Sequence, residues 1–316
     1  MTDAIVSRLG QVKQAGAEDA LFVQVFTGEV LTAFQENYKL DGRVTVRNIT
    51  QGKSASFAAI GISDDAAYHV PGTEILGGTV DHNEVIVTLD PVMTSSKFLA
   101  DIDEAQNHYE VRAPYSAAMG TELAQKRTFN ELSCVAQAAR TEEGPVSGQP
   151  GGAVIKNAAM ATDAYVLANA FKQARQVGDE KNWPERNGTG ALPPAQYYLL
   201  TENKDLIHKD ITAGSYGDYN EATLRAIAGF DLLKLNLFPK GDRSADAKLL
   251  AKYRLDFSDT VALIWTPDAV ATLQLMGLGM QIVPQPHRLG TLMIAKYALG
   301  HGPLRAGQAI ELSKAV

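Results

Sequence analysis

Hydrophobic positions in the first 40 residues recur at helical spacing, in two runs. Ile5, Val6, Leu9 and Val12 make the first, which Gln14-Ala15-Gly16-Ala17 interrupts. Phe22, Val25, Phe26, Val30, Ala33 and Phe34 make the second, a stripe along one face of a helix. Gly28 lies within it and costs about 1 kcal/mol relative to Ala. An amphipathic helix needs a surface to cover its stripe. The residues leave two choices open, the chain's own domain or something else.

The period changes at residue 43. Val44-Thr45-Val46 alternates, as do Ser54-Ala55-Ser56-Phe57 and Val85-Ile86-Val87-Thr88-Leu89, which predicts a two-stranded ribbon. Between its arms lies a stretch from Ile62 to Asn83 rich in Gly, Asp and Pro, longer than the ~12–15 residues usual for an unstructured loop. At ~3.3 Å per residue, an 18-residue arm reaches ~60 Å. A globule of this length has a radius of gyration near ~20 Å. The ribbon is therefore expected to stand away from the body. A lone pair of strands is marginal in water, so support from outside the body is expected.

A long helix is predicted over about 101–140, with Asp101, Asp103 and Glu104 at its start, where the helix dipole favours them. Pro114 falls inside and should kink it or restart it near Ala113. Gly and Pro cluster from Thr141 to Gly152, a clear break. Beyond it the pattern predicts a helix over about 161–177, a polar loop over 178–195 and a buried strand at Gln196–Thr201. A short helix is expected at 221–228 and strands at Phe230–Leu237 and Val261–Thr266. A helix at Asp268–Met276 follows, then strand from Thr291 to Leu299, a turn at Gly300–Pro303 and a strand at Ala309–Leu312. Helices and strands mix without a βαβ repeat, so the fold class is α+β.

Composition narrows the function. Against 29 Lys and Arg stand 36 Asp and Glu, a net charge of −7, which argues against a broad basic face for nucleic acid. The single cysteine, Cys134, forms no internal disulfide and fits a reducing compartment. No secretory signal is expected from the start at Met1, and no apolar run approaches the ~20 residues of a membrane helix. Gly52-Lys53-Ser54 resembles the end of a phosphate-binding loop, but position 47 is Arg where the motif needs Gly. The six histidines show no metal-ligand spacing, and no nucleophile elbow or catalytic carboxylate pair is present. No enzyme, cofactor or metal is expected.

Five segments in fixed order carry a more specific signal: Leu21–Phe34, Gly52–Phe57, Ala66–Gly72, Asp101–Arg112 and Ile294–Arg305. Together they resemble the major capsid proteins of short-tailed bacteriophages. The resemblance implies the Hong Kong 97-type capsid fold. An N-terminal arm would span 1–42, an extended loop 43–92, a peripheral domain 93–149 with 281–316, and an axial domain 150–280. It further implies a subunit that assembles through pentamers and hexamers into an icosahedral shell around double-stranded DNA, in the host cytoplasm. Scaffolding and portal proteins would be its partners, with packaged DNA touched non-specifically and no membrane involved. Lys53, Phe57, Tyr68 and Pro71 on the extended loop, and Phe22, Phe26 and Phe34 on the arm, are the expected inter-subunit contacts. Lys53 is a candidate for a Lys–Asn crosslink by location only, and no crosslink is expected. An encapsulin-type compartment shell is the alternative, and a nucleotide-binding enzyme built on Gly52-Lys53-Ser54 a remote one.

Overall fold

The computed structural model describes residues 20–62, 66, 68–72, 74, 77, 79–100, 112–184, 187–203, 206, 217–218 and 223–315, with side chains in the arm helix from Glu29 onward. The expected first apolar run, at residues 5–12, and the acidic helix start at 101–104 lie outside the described residues. Two compact units divide the chain. The first takes Met1–Lys39, Pro91–Arg127 and Met276–Leu299; the second takes Leu40–Asp90, Thr128–Leu275 and Gly300–Val316.

In the first unit the arm helix (Ala20–Asn37) lies against the long helix (Arg112–Arg140), whose residues to Arg127 belong here. Gly120 sets their approach. A Cβ on it would come within 2.5 Å of the Val30 carbonyl oxygen, so only glycine fits. Val30, Ala33 and Phe34 are buried, Asn37 donates to Thr121 Oγ1 at 3.1 Å, and the Arg127 guanidinium lies 4.0 Å from the Tyr38 ring centre. This half of the stripe is covered by its own chain. Pro114 is the third residue of the long helix as described, where its missing N–H costs no intrahelical bond. Strand Met93–Ala100 pairs antiparallel with Gly290–Pro303 in register from Tyr297↔Met93 to Gly290↔Ala100.

The second unit is built on a six-stranded mixed sheet. Its order is Ala153–Lys156, Ala309–Ser313, Thr260–Trp265, Gly188–Leu192, Phe230–Lys234, Ala226–Ile227. Helices Ala164–Glu180 and Pro194–Leu200 cover it through Leu167, Phe171, Leu200, Phe230 and Ile264. The Asp163 side chain caps the first of these helices by accepting from the amides of Tyr165 and Val166. Strand Thr45–Asn48 runs parallel to the start of Val270–Gln285, and the buried Trp265 donates to the Arg43 carbonyl at 2.9 Å.

Several expectations are corrected here. Gln196–Thr201 is helical, because Pro194 starts a turn that buries Tyr197 and Leu200, three apart, and leaves Tyr198 outside. The run at Asp268–Met276 is one 3₁₀ turn leading into strand. Of the helix expected at 221–228, the described residues form short strands Thr223–Leu224 and Ala226–Ile227, and Ala228-Gly229, both at positive φ, turns the second back onto Phe230–Lys234. Gly300–Pro303 continues strand Gly290–Pro303 and is no turn. The polar loop at 178–195 contains Gly188–Leu192, a fully buried central strand whose glycines admit the rings of Phe230 and Phe171.

Candidate assembly interface

The ribbon forms over part of the expected arm: Thr45–Asn48, expected in the same alternating run, pairs instead with strand Val270–Gln285, which leaves two seven-residue strands rather than 18-residue arms. Ser54–Ile60 and His82–Thr88 pair antiparallel through seven registered pairs, from Ser54↔Thr88 to Ile60↔His82. Side chains on the two faces meet different surroundings. On one face Ala55, Phe57 and Val87 pack with Ala271, Leu273 and Leu304 of the same unit. Arg47 also reaches this strand, donating to the Ser56 carbonyl at 2.7 Å with its guanidinium 5.4 Å from the Phe57 ring centre. The stem is thus supported by its own chain on that face, which corrects the expectation that it stands without support. The other face carries Ile60 and Ile86 at 61% and 60% exposure.

The root is fastened by groups far apart in sequence. Asp90 accepts a 2.5 Å hydrogen bond from the Tyr253 hydroxyl and forms an ion pair with Lys252. Lys252 donates to the His301 carbonyl at 3.1 Å, and the His301 amide donates to the Tyr253 hydroxyl oxygen at 3.3 Å. His301 Nδ1 lies 2.9 Å from Thr272 Oγ1 and 3.7 Å from the buried Glu131 carboxylate. Burial, reinforced by nearby Cys134 and Asp90, holds the Tyr253 hydroxyl well above its ordinary 10.0. Burial likewise raises the Cys134 thiol, which makes it a poor nucleophile. Gly300 completes the root, since a Cβ there would lie 2.3 Å from the Thr88 carbonyl oxygen.

Beside the stem lies a cleft of about 240 Å³, lined among others by Ala58, Ile60, Ile62, Pro145 and Lys181. Asn83 donates to the Pro145 carbonyl at 2.7 Å and Gln149 to the Ile60 carbonyl at 2.6 Å, so the Pro145–Pro150 turn braces the ribbon where its pairing ends. Partial burial lowers the Lys181 ammonium, which donates to the Gly151 carbonyl at 2.8 Å.

The expected contact residues fall into distinct places. Lys53 is exposed at the turn before the ribbon, Phe57 is half-buried on its supported face, Tyr68 is fully open to solvent near the tip, and Pro71, Ile62 and Val70 are exposed. Phe34 is buried and stacks 5.7 Å from Tyr38 within its own unit. Phe22 and Phe26 lie in the arm helix, with side chains outside the described residues. Gly52, at φ +107°, leads into strand, so Gly52-Lys53-Ser54 lacks the helix a phosphate loop requires. Among the described residues no group of His, Cys, Asp or Glu is placed to hold a metal ion, and no helix is long and apolar enough to cross a membrane. Sequence reading missed the Asp90–Lys252–Tyr253–His301 root and the Pro145–Pro150 brace.

Comparisons with known proteins agree in kind. The family model described as Gp10A-like, major capsid protein, matches residues 56–313. The major capsid protein of Escherichia phage T7 is 28% identical, over 93% of this chain and 92% of its own length. The capsid structure of cyanophage P-SCSP1u superposes with a TM-score of 0.80 at 36% identity, covering 99% of both chains. The mature capsid of bacteriophage PhiM1 has the same fold, with a TM-score of 0.75 at 16% identity over 88% of this chain and 87% of that one.

Proposed function

The chain belongs to the Gp10A-like major capsid protein family, and from that premise we propose how one copy joins the next. It is a phage major capsid protein with the Hong Kong 97-type fold, a virion component that assembles with itself into shells. The extended loop supplies the joint. Its stem is fixed to its own unit, while Ile60, Ile86 and the tip at Tyr68 and Pro71 turn apolar surface to solvent. That half-covered ribbon is the observation that carries the reading, because apolar side chains left exposed together on one face of a ribbon mark an interaction site. A neighbouring copy would cover it.

The same patch contacts a different patch on the next copy, a heterologous joint that closes into rings when the rotation allows. Pentamers and hexamers are the rings an icosahedral shell uses, with residues 150–280 as the axial domain near their centres. Each joint can be weak, since ring closure makes later contacts intramolecular. Phe22 and Phe26 would extend the arm's contact to a neighbour, whereas Phe34 serves its own unit. A scaffolding protein in the procapsid, a portal at one vertex and packaged double-stranded DNA complete the set of partners. Assembly in the host cytoplasm fits the lone thiol. The role is structural and uses no catalysis. An encapsulin-type cargo shell would need the same fold, but the family match and the 36% identical relative are to phage capsids.

The test is assembly of the purified chain, with and without a scaffolding partner, followed by negative-stain microscopy. The wild type should form shells, and a variant with residues 62–80 replaced by a short Gly-Gly link should stay as soluble subunits. Shells of normal yield from that variant would remove the loop from the mechanism.

A further inference from the structure

From Ser54 to Asp90 the chain carries six acidic residues and neither lysine nor arginine: Asp64, Asp65, Glu74, Asp81, Glu84 and Asp90. Asp90 is occupied by Lys252 and Tyr253 of its own chain. Asp81 and Glu84, at the far end of the stem, and Glu74 beyond it are exposed. From Ser54 onward every formal charge on the loop is therefore negative, and its bases, Arg43, Arg47 and Lys53, lie at its start.

The opposite bias occurs in residues 234–254, which hold six basic residues against two acidic ones. Four of the six are engaged locally: Lys234 with Tyr198, Lys252 with Asp90, Arg254 with the Leu249 carbonyl and Arg243 with Asp246. Lys240 and Lys248 are exposed on one turn together with Arg243. That turn is held by a short antiparallel pair, Gly241–Asp242 with Asp256–Phe257. Asp242 accepts from the Ser244 amide and Asp246 from the Lys248 amide, each bond tightening the backbone that carries the bases. Arg243 pairs with Asp246 at 3.4 Å, and no acidic side chain of 54–90 pairs with Lys240, Arg243 or Lys248 among the described residues. Three bases against Asp242 and Asp246 leave the turn net positive, and this turn and the negative loop, not paired with each other among the described residues, are complementary between copies.

We propose that the turn carrying Lys240, Arg243 and Lys248 is the docking surface for the acidic extended loop of a second copy of this chain. This rests on the reading of the loop as the joint and names the surface that receives it. Complementary charge of this kind steers encounter and fixes register more than it adds affinity, so its signature is in assembly rate and salt response.

The experiment compares three chains by light scattering and sedimentation. One carries Lys240→Glu, Arg243→Glu and Lys248→Glu; a second carries Glu74→Lys, Asp81→Lys and Glu84→Lys; the third carries all six. Each single set should slow shell formation by about 10-fold or more at low salt. The gap should shrink at ~1 M salt, where the screening length falls to ~3 Å. The six-fold variant should recover the wild-type rate. Wild-type kinetics in the base-reversed chain overturn the proposal, and so does failure of the six-fold chain to recover. If the triple variant melts early as a free subunit, Lys248→Glu alone, at an exposed position, is read by the same criteria. The 62–80 replacement separates the two levels. If it assembles normally, the loop reading falls and takes this proposal with it. If it is dead while the base-reversed chain assembles normally, only the receiving surface is wrong.

Discussion

At Asp90 a single carboxylate holds the end of the extended loop to two residues more than 160 positions away, Lys252 and Tyr253. Replacing it with Ala leaves a buried hydroxyl and a partly buried ammonium without their charged partner. The expected loss is about 2–3 kcal/mol of subunit stability, measured by denaturant unfolding of unassembled chains. Tyr253 adds a pH dependence. In the folded chain it keeps its proton well above 10.0, whereas the unfolded chain loses it near that value. The unfolded state then binds fewer protons, so this contribution is complete below about pH 10 and declines above it. Unfolding followed from about pH 8 to about pH 11 should show that decline, and Tyr253→Phe should flatten it. Gly120→Ala should cost about 1–3 kcal/mol, because the added methyl has the Val30 carbonyl oxygen in its place. None of these root contacts was legible in the sequence. Residues 90, 253 and 301 share no spacing rule, and only the folded chain brings them together.

Elements were legible where one face is wet. The ribbon strands alternate and were found in part, at Ser54–Phe57 and Val85–Thr88; helix Ala164–Glu180 shows a stripe and was found to within three residues at each end. Elements buried on all sides were not. Val270-Ala271-Thr272-Leu273 is covered on both faces, so its apolar run carries no period to tell strand from helix. Gly188–Leu192 read as loop because its glycines suit neighbouring rings rather than strand propensity. The two faces of the ribbon supply the test at this scale. Phe57→Ala, on the supported face, should lower subunit stability by about 1–3 kcal/mol, since it is only half-buried. Ile86→Ser, on the open face, should leave it within about 0.5 kcal/mol yet reduce shell yield. Equal shell yields from wild type and Ile86→Ser would mean the open face stays wet in the shell.

For the whole molecule, family and fold were readable from five short segments in order, because several motifs in a fixed order are far more specific than one short pattern. The expected site was read less completely. Tyr68, expected at the loop tip, is exposed, but Phe34 is buried in its own unit, and the brace at Pro145–Pro150 joins residues with no spacing rule in the sequence. Phe26→Asp should leave soluble subunits that form no shells, checked by sedimentation. The most direct measurement is hydroxyl-radical footprinting of Tyr68 and Ile86 in free subunits and in assembled shells. Covering by a neighbour predicts high reactivity at both positions in the subunit and strong protection in the shell. Reactivity unchanged by assembly would contradict it.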